Sequence, residues 1–154
     1  MTPTVAIGCG AGFSGDRTDA PIAVVNALSE RTDPEFLNLE TLGARTLADA
    51  QMARRRDRSS GFEPLLTELL SPILADCLRH GIRIVSNCGA ANPMAAGLLI
   101  DTLSKDLGTP RPKVAVVLGD DQSKDLATLT RNPWEVNWPT ELCRSNRLLQ
   151  PLPI

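Results

Sequence analysis

The sequence predicts an α/β fold with an open, mainly parallel sheet, and three observations support this prediction. Apolar segments at 4–9, 82–86 and 113–118 each end in glycine and polar residues, as buried strands do where they deliver loops to a sheet edge. Helical segments separate the strands, and this alternation is typical of parallel sheets with right-handed crossovers. The last of the three segments is a nearly continuous apolar run, as expected of a strand buried on both faces. We therefore expect about four strands with helices on both faces, in a Rossmann-like or flavodoxin-like arrangement.

The first strand, at 4–9, leads through a glycine-rich loop to a helix. This helix is predicted at 19–32, where apolar residues recur at helical spacing and Thr18 or Asp19 can cap the first turn. A second strand is predicted at 35–40. Its apolar run is the shortest of the four strands.

Two helical segments follow in the middle of the chain. The first, at 46–56, has apolar residues on one side only and is expected to be short and partly exposed. The second, from 62 to 78, repeats apolar residues at the i, i+3, i+4 and i+7 positions. Pro72 is expected to kink or split it, because proline removes one backbone hydrogen bond and clashes with the preceding turn. His80 and Gly81 are typical of a helix C-terminus.

The third strand, at 82–86, is predicted to be the central strand of the sheet. It continues into a loop that ends in Asn92 and Pro93, which are a good N-cap and a good first residue for a helix predicted at 93–107. Glycine and proline at 108–112 end that helix, and the fourth strand follows.

Composition and charge exclude several functional classes. The net charge is −2 and the basic cluster at 54–58 fits a solvated helix end, so nucleic acid and membrane surfaces are not expected partners. The one histidine, His80, is expected at a helix end, which argues against a Ser-His-Asp triad and against a multi-histidine metal site. Four cysteines without CxxC spacing are expected to be reduced. With neither a leader nor a membrane-spanning apolar stretch in the sequence, we expect a cytoplasmic protein.

A single α/β domain is predicted at 1–125, because 154 residues suffice for one packed core. The remaining residues, 126–154, lack clear periodicity and contain both tryptophans. Exposed tryptophan is costly, so this irregular tail is expected to pack on the domain or on another subunit.

Glycine is abundant after the first strand, where Gly10 and Gly12 allow the backbone to approach an anionic ligand closely. The spacing matches neither the dinucleotide-binding fingerprint nor a P-loop, so it fits an anion or carboxylate site and a structural tight turn equally well. Ser14 adds a hydroxyl group to the loop. Asp16 is a candidate acid or base, because the helix cap does not require it, and Arg17 is a candidate ligand for an anionic group.

Further loops place amide, thiol and carboxylate groups at the same edge of the sheet. The residues are Glu40 after the second strand, Asn87, Cys88, Gly89 and Asn92 after the third, and Asp120 and Asp121 after the fourth. Converging carboxylates can divide into acid and base or hold a divalent ion, whereas Asp120 and Asp121 could equally cap the next segment. Cys88 is a candidate nucleophile and could face Cys9 across neighbouring strand ends, although buried structural thiols are more common.

Several motifs occur together in one order along most of the chain, at 7–17, 47–51 with 54–57, 61–66, 84–93 and 114–121. In this order they resemble the N-terminal part of acyclic terpene utilisation proteins of the AtuA type. The resemblance implies a role in the bacterial degradation of branched acyclic terpenoids such as citronellol and geraniol, a route that proceeds through coenzyme A thioesters. It places a site at the glycine loop, the Asn87–Pro93 loop and the Gly119–Asp121 loop.

We therefore expect an enzyme or enzyme subunit that acts on a small carboxylate or acyl-coenzyme A substrate, as a hydratase, a dehydratase or a carbon–carbon lyase. The sequence identifies no other cofactor. The alternative is a non-catalytic subunit that docks onto a larger partner and completes its active site. Family members are several times longer, so the chain could be a stand-alone reduced version, one subunit of a divided enzyme or a truncated product. Either a homo-oligomer or a heteromer with a partner subunit is expected.

Overall fold

The computed structural model describes residues 4–121 and 149–151, and the chain divides between Lys113 and Val114 into two compact units. In chain order the elements are β1 (Ala6–Ala11), α1 (Ala20–Ser29), β2 (Glu35–Leu39), α2 (Ala44–Arg56), α3 (Leu66–Leu70), α4 (Leu74–His80), β3 (Arg83–Ser86), α5 (Pro93–Asp106), β4 (Ala115–Val117) and β5 (Leu149–Pro151). The first unit is an open, three-stranded parallel sheet flanked by helices, which confirms the predicted α/β fold. Apart from β5, the predicted tail and its two tryptophans lie outside the described residues.

The central strand of this sheet is β2, because the strand order is β1-β2-β3. The prediction that the third strand lies at the centre is therefore wrong. Leu37 and Leu39 of β2 are almost completely buried, whereas most of β3 is exposed. In β2, fully buried residues alternate with partly buried ones. This pattern, and not the length of the apolar run, goes with the central position of β2 in the sheet.

The fourth predicted strand forms as β4, and its partner is β5. The two strands pair antiparallel, with Val116 opposite Gln150. Val116 is buried while Ala115 and Val117 are exposed, so β4 alternates and does not show the continuous burial that its sequence suggested. Among the described residues, the parallel sheet thus contains three strands.

Most helix boundaries follow the sequence signals, although the helix predicted from 62 begins at Leu66 and the helix predicted to end at 32 ends at Ser29. Pro72 separates α3 from α4, as predicted, and the C-cap of α4 is Gly81, whose φ of 74° is unfavourable for residues with a Cβ. α5 begins at Pro93, and the side chain of Asn92 caps its first turn. In the part of the chain that the structure describes, no helix is both long and apolar enough to cross a bilayer.

One face of the sheet packs against the helices and forms the core. Its largest fully buried residues include Val25 of α1, Leu37 and Leu39 of β2, Leu66 of α3, Ile73 at the N-cap of α4 and Cys77 within α4. Each large aliphatic side chain buried in this way contributes about 1.5–3 kcal/mol. The core fixes the ends of the three parallel strands relative to one another.

Within residues 4–121 the opposite face of the sheet is largely exposed, so the helices that were expected on both faces are seen there on one. Ile7 of β1 is 73% exposed and Val85 of β3 is 56% exposed. Between them, Phe36 of β2 is partly covered by the Arg83 guanidinium, which lies 5.3 Å from the ring centroid in cation–π geometry.

Candidate functional site

The candidate site is the carboxyl edge of the parallel sheet, which we define as residues 12–17, 40–43 and 87–92. These segments follow β1, β2 and β3 respectively. Parallel strands deliver their carboxyl ends to one side of a sheet, and open α/β sheets bind ligands there. Asp120 and Asp121 are exposed and follow β4, which belongs to the second compact unit. They are therefore not counted as part of this edge.

Asp16 organises the glycine loop through both of its carboxylate oxygens. Oδ2 accepts a hydrogen bond from the Gly12 N–H at 3.0 Å, and Oδ1 accepts one from the Arg17 N–H at 2.7 Å. These bonds, that from Gly12 first, hold the pKa of Asp16 below its ordinary value. Asp16 is thus an ionised acceptor within the loop. That state suits a base better than an acid.

Arg17 forms a two-point ion pair with Asp19. Its Nε donates to Oδ1 at 2.7 Å, and its Nη2 donates to Oδ2 at 2.6 Å. Thr18 or Asp19 was expected to cap α1. The N-cap residue is Asp19, but its side chain does not cap because the Arg17 guanidinium takes both of its oxygens.

Two of the candidate glycines are required by close packing. A Cβ on Gly10 would lie 3.1 Å from Cα of Pro21, and a Cβ on Gly89 would lie 2.7 Å from Cα of Pro93. These glycines let β1 approach α1 and let the 87–92 loop approach α5. By contrast, Gly12 is exposed and Ser14 is partly buried.

Glu40 and Asn87 join the ends of β2 and β3. The Asn87 Nδ2 donates to Glu40 Oε1 at 2.5 Å, and the Asn87 Oδ1 accepts from the Thr41 N–H at 2.8 Å. Glu40 Oε1 also accepts from the Leu42 N–H at 3.0 Å. The bond from Asn87, and then that from Leu42, lowers the pKa of Glu40 from its ordinary value. Glu40 is therefore an ionised carboxylate at neutral pH.

The second oxygen of Glu40 is left for other partners. Within residues 4–121, both bonds to this carboxylate go to Oε1, and none goes to Oε2. The neighbouring Thr41 is only 3% exposed, and its Oγ1 has no hydrogen-bond partner in the described structure. Unsatisfied polar atoms of this kind are uncommon in folded proteins and call for an explanation.

The turn after β2 also presents the N-terminus of α2. Gly43 is the N-cap and provides no side-chain cap, and the first turn contains no acidic residue. Thr46 Oγ1 instead accepts from the Gly43 N–H at 2.7 Å. The N–H groups of the first turn therefore present a partial positive charge that favours an anion or a carbonyl oxygen.

Cys88 is structural in its present surroundings. Its N–H donates to Ser86 Oγ at 3.0 Å, and Ser86 Oγ donates to the Leu39 carbonyl at 2.6 Å, which ties β3 to β2. Burial raises the pKa of the Cys88 thiol, which disfavours a thiolate nucleophile. Cys9 is exposed on β1, and the whole of β2 lies between β1 and β3. The predicted placement of Cys9 and Cys88 on neighbouring strand ends is therefore wrong.

Asn92 uses its entire amide group inside the protein. Its Oδ1 accepts from the Ala95 N–H at 3.4 Å, and its Nδ2 donates to the carbonyls of Arg58 and Ser60, each at 2.8 Å. The residue is 7% exposed. These contacts tie the loop before α3 to the start of α5, so the geometry supports a structural role for Asn92.

The structure thus brings five of the predicted residues to the strand ends of one sheet: Gly12, Ser14, Asp16, Glu40 and Asn87. Sequence reasoning missed the hydrogen bond between Glu40 and Asn87. Glu40 stood at a predicted strand end, but its pairing with Asn87 requires β2 and β3 to be neighbours. The order of strands was the missing signal. In the described residues, no group of three histidine, cysteine or acidic side chains could hold a metal ion.

Comparison with known proteins identifies a family to which the chain is similar. The model of a family described as acyclic terpene utilisation family protein AtuA matches residues 5–147. The match extends to residue 147, beyond the last of the motifs that carried the resemblance, at 114–121. No curated protein and no solved structure matches the chain.

Proposed function

Since the chain belongs to the acyclic terpene utilisation family, we propose that it is an enzyme, or a subunit of one, that acts on small branched carboxylates as their coenzyme A thioesters. The observation that carries this proposal is the Glu40–Asn87 pair at the carboxyl edge. It provides an ionised carboxylate with one oxygen fixed by two donors and one oxygen open to a ligand.

The pair suits the role of a general base. A base must be ionised at the working pH and held in a defined orientation. Asn87 supplies the orientation, because its amide is itself oriented by the Thr41 N–H and donates to Glu40 Oε1. Ionisation at neutral pH is the ordinary state of a glutamate, and the lowered pKa of Glu40 makes it a weaker base than a free carboxylate. Glu40 Oε2 is then the atom that would receive a proton.

Hydration of an α,β-unsaturated thioester is the reaction that we assign to this arrangement. Glu40 takes a proton from water as the water oxygen bonds to the β-carbon, and the electron pair of the double bond shifts toward the thioester carbonyl. Protonated Glu40 then delivers that proton to the α-carbon as the enolate collapses, so that one water has been added across the double bond and the carboxylate is regenerated. The same groups acting in reverse would dehydrate a β-hydroxy thioester.

The N-terminus of α2 supports the same assignment. Negative charge develops on the thioester carbonyl oxygen during this addition, and backbone N–H groups at a helix start stabilise such charge. α2 begins four residues after Glu40, and its first turn lacks a competing acidic side chain. The base and the donors would thus come from one short segment.

Glu40→Gln tests the proposal, because the glutamine oxygen can keep the bonds from Asn87 and Leu42 while an amide group replaces Oε2. The probe is 3-methylbut-2-enoyl-coenzyme A, with binding measured by calorimetry and loss of the conjugated double bond followed by absorbance. We expect turnover to fall about 100-fold or more, with an unchanged denaturation midpoint. Glu30→Gln is the matched control, because Glu30 is an exposed glutamate at the C-cap of α1 and lies outside the carboxyl edge. This variant should behave as wild type.

Two results would overturn the proposal. One is a Glu40→Gln variant that turns over the thioester as fast as the wild type. The other is a wild-type protein that neither binds nor converts the thioester or its 3-hydroxy product.

A further inference from the structure

α2 lies along the carboxyl edge of the sheet. It begins four residues after Glu40, in the turn that follows β2. At its other end, Arg54 Nη1 donates to the Ala91 carbonyl at 2.5 Å, and Asn92 Nδ2 donates to the Arg58 carbonyl at 2.8 Å. Since 91 and 92 belong to the loop after β3, α2 extends from the end of β2 to that loop.

Three arginines at this end of α2 have no side-chain partner within residues 4–121 and 149–151: Arg55, Arg56 and Arg58, which we call the arginine cluster. All three are exposed. The one acidic residue among them, Asp57, accepts hydrogen bonds from the hydroxyl groups of two serines. Guanidinium groups match the geometry of phosphate oxygens, so an unpaired cluster of this kind suits a ligand that carries phosphate groups.

One side of α2 between its first turn and the arginine cluster is exposed and uncharged. Ala44, Ala48 and Met52 follow one another at four-residue spacing and therefore lie on the same side of the helix. Both alanines are exposed, and Met52 is 51% exposed. Arg55 and Arg56 lie three and four residues beyond Met52, so this apolar strip ends at the arginine cluster.

We propose that the arginine cluster binds the phosphate groups of a coenzyme A thioester, with the pantetheine arm of the thioester lying along the apolar strip of α2. The inference rests on the proposed function for the position of the acyl group, which lies at Glu40 and the first turn of α2. The phosphate site itself rests on the exposed, unpaired arginines at the opposite end of the helix.

The length of α2 agrees with the length of this arm. At about 1.5 Å per residue, Arg55 lies roughly 17 Å beyond the start of the helix at Ala44. About thirteen covalent bonds join the sulfur of coenzyme A to its first phosphorus, and about three bonds of extended chain span 3.5 Å, so the arm reaches about 15 Å. A free nucleotide or inorganic phosphate has no such arm and could not occupy both ends of α2 at once.

Replacement of Arg55 and Arg56 by glutamine tests the phosphate contact. The matched control replaces Arg31 and Arg79, which are exposed arginines at the ends of α1 and α4. These two helices lead into the amino ends of β2 and β3, so the control removes the same charge from the other edge of the sheet. Binding of coenzyme A is measured by calorimetry, and binding of pantetheine, which has the arm without phosphates, by ligand-detected NMR.

We expect the Arg55→Gln/Arg56→Gln variant to bind coenzyme A at least tenfold more weakly than the wild type. The Arg31→Gln/Arg79→Gln control should bind it as the wild type does. Pantetheine should show no comparable loss, because it has no phosphate groups. Added salt should weaken coenzyme A binding more in the wild type than in the Arg55→Gln/Arg56→Gln variant, since salt screens the charge contacts that only the wild type retains in full.

Three results would overturn the inference. They are a wild-type protein that does not bind coenzyme A, equal affinities for coenzyme A in the wild type and the Arg55→Gln/Arg56→Gln variant, and a wild-type affinity for ADP that equals the affinity for coenzyme A. If coenzyme A binds through the arginine cluster but Glu40→Gln turns over the thioester as fast as the wild type, the hydration assignment fails and the phosphate site stands. If Glu40→Gln is inactive and the arginine variant binds normally, the reverse holds.

Met52→Glu tests the path of the arm along α2. A carboxylate in the middle of the apolar strip would repel the phosphate groups and oppose the apolar contacts of the arm. Leu98→Glu is the matched control, because Leu98 is 54% exposed and lies on α5. We expect at least fivefold weaker binding of coenzyme A by Met52→Glu and no change for Leu98→Glu. Equal binding by both variants and the wild type would overturn the path along α2 and the inference with it.

Discussion

Replacing Asn92 by alanine should destabilise the protein by about 2–3 kcal/mol. The loss of an N-cap side chain costs about 1 kcal/mol. Asn92 also donates to the carbonyls of Arg58 and Ser60, and each lost hydrogen bond costs about 0.5–1.5 kcal/mol. The long capping bond of 3.4 Å places the first contribution toward the lower part of its range.

Asn92→Ser separates the two contributions. A serine hydroxyl can still cap α5, but it cannot donate to both carbonyls of the loop before α3. The serine variant should therefore retain about 0.5–1 kcal/mol of the stability that the alanine variant loses. Free energies of unfolding come from urea titrations followed by circular dichroism, with the slope on urea concentration compared between variants.

The reasoning fails if Asn92→Ala is within about 0.5 kcal/mol of the wild type, which is the range of ordinary surface substitutions. A second result would also contradict the structural role of Asn92: an Asn92→Ala variant that is as stable as the wild type but no longer binds the thioester probe. That result would return Asn92 to the ligand-contacting role that its place in the loop first indicated.

Three further predictions follow from the same structure. Under native conditions Cys9 should react with iodoacetamide at least tenfold faster than the buried Cys88, and mass mapping that shows the opposite order would contradict the assigned burial. Gly89→Ala should destabilise the fold by about 1–3 kcal/mol in urea, because its Cβ would meet the Pro93 backbone, and unchanged stability would show that the loop can shift. The lowered pKa of Asp16 means that its stabilising contribution is present above its ordinary value of 3.8 and is lost as the pH falls through the lowered value. Asp16→Asn should therefore flatten the acid limb of the melting temperature against pH, and an acid limb like that of the wild type would refute a stabilising role.

Local signals predicted most of the helices and strands. Pro72 separates two helices because it lacks an N–H, and this property is independent of the rest of the fold. The Asn92 and Pro93 pair marks the start of α5 for a similarly local reason. Elements bounded by such residues could be predicted without knowledge of tertiary structure.

Strand order could not be predicted in this way. Glu35–Leu39 has a short apolar run, yet it forms the central strand because Leu37 and Leu39 fill the core beneath the helices. A strand's position depends on what packs against it, and that information is spread over the chain. The contact between Glu40 and Asn87 depends on the same information, because it forms only where β2 and β3 are adjacent.

Within one loop, two asparagines that look equivalent in sequence have different roles. Asn87 bonds to groups at the exposed sheet edge, whereas Asn92 directs all of its amide atoms to the interior. Their spacing of five residues does not show which side chain faces solvent. Only the contacts of the folded chain separate the residue at the exposed sheet edge from the one that is bonded inside the protein.

Some polar groups at the carboxyl edge already have hydrogen-bond or ion-pair partners within the fold, and others keep capacity for further hydrogen bonds. Asp16 commits both oxygens to the glycine loop, Arg17 is held by Asp19, and Asn92 is fully satisfied. Among the described residues of this edge, the groups with remaining capacity include Glu40 Oε2, Thr41 Oγ1 and the first-turn amides of α2. All of them belong to the turn after β2. If a substrate binds at this edge, the chemistry is therefore expected at the β2–α2 turn, with the glycine loop as a supporting wall.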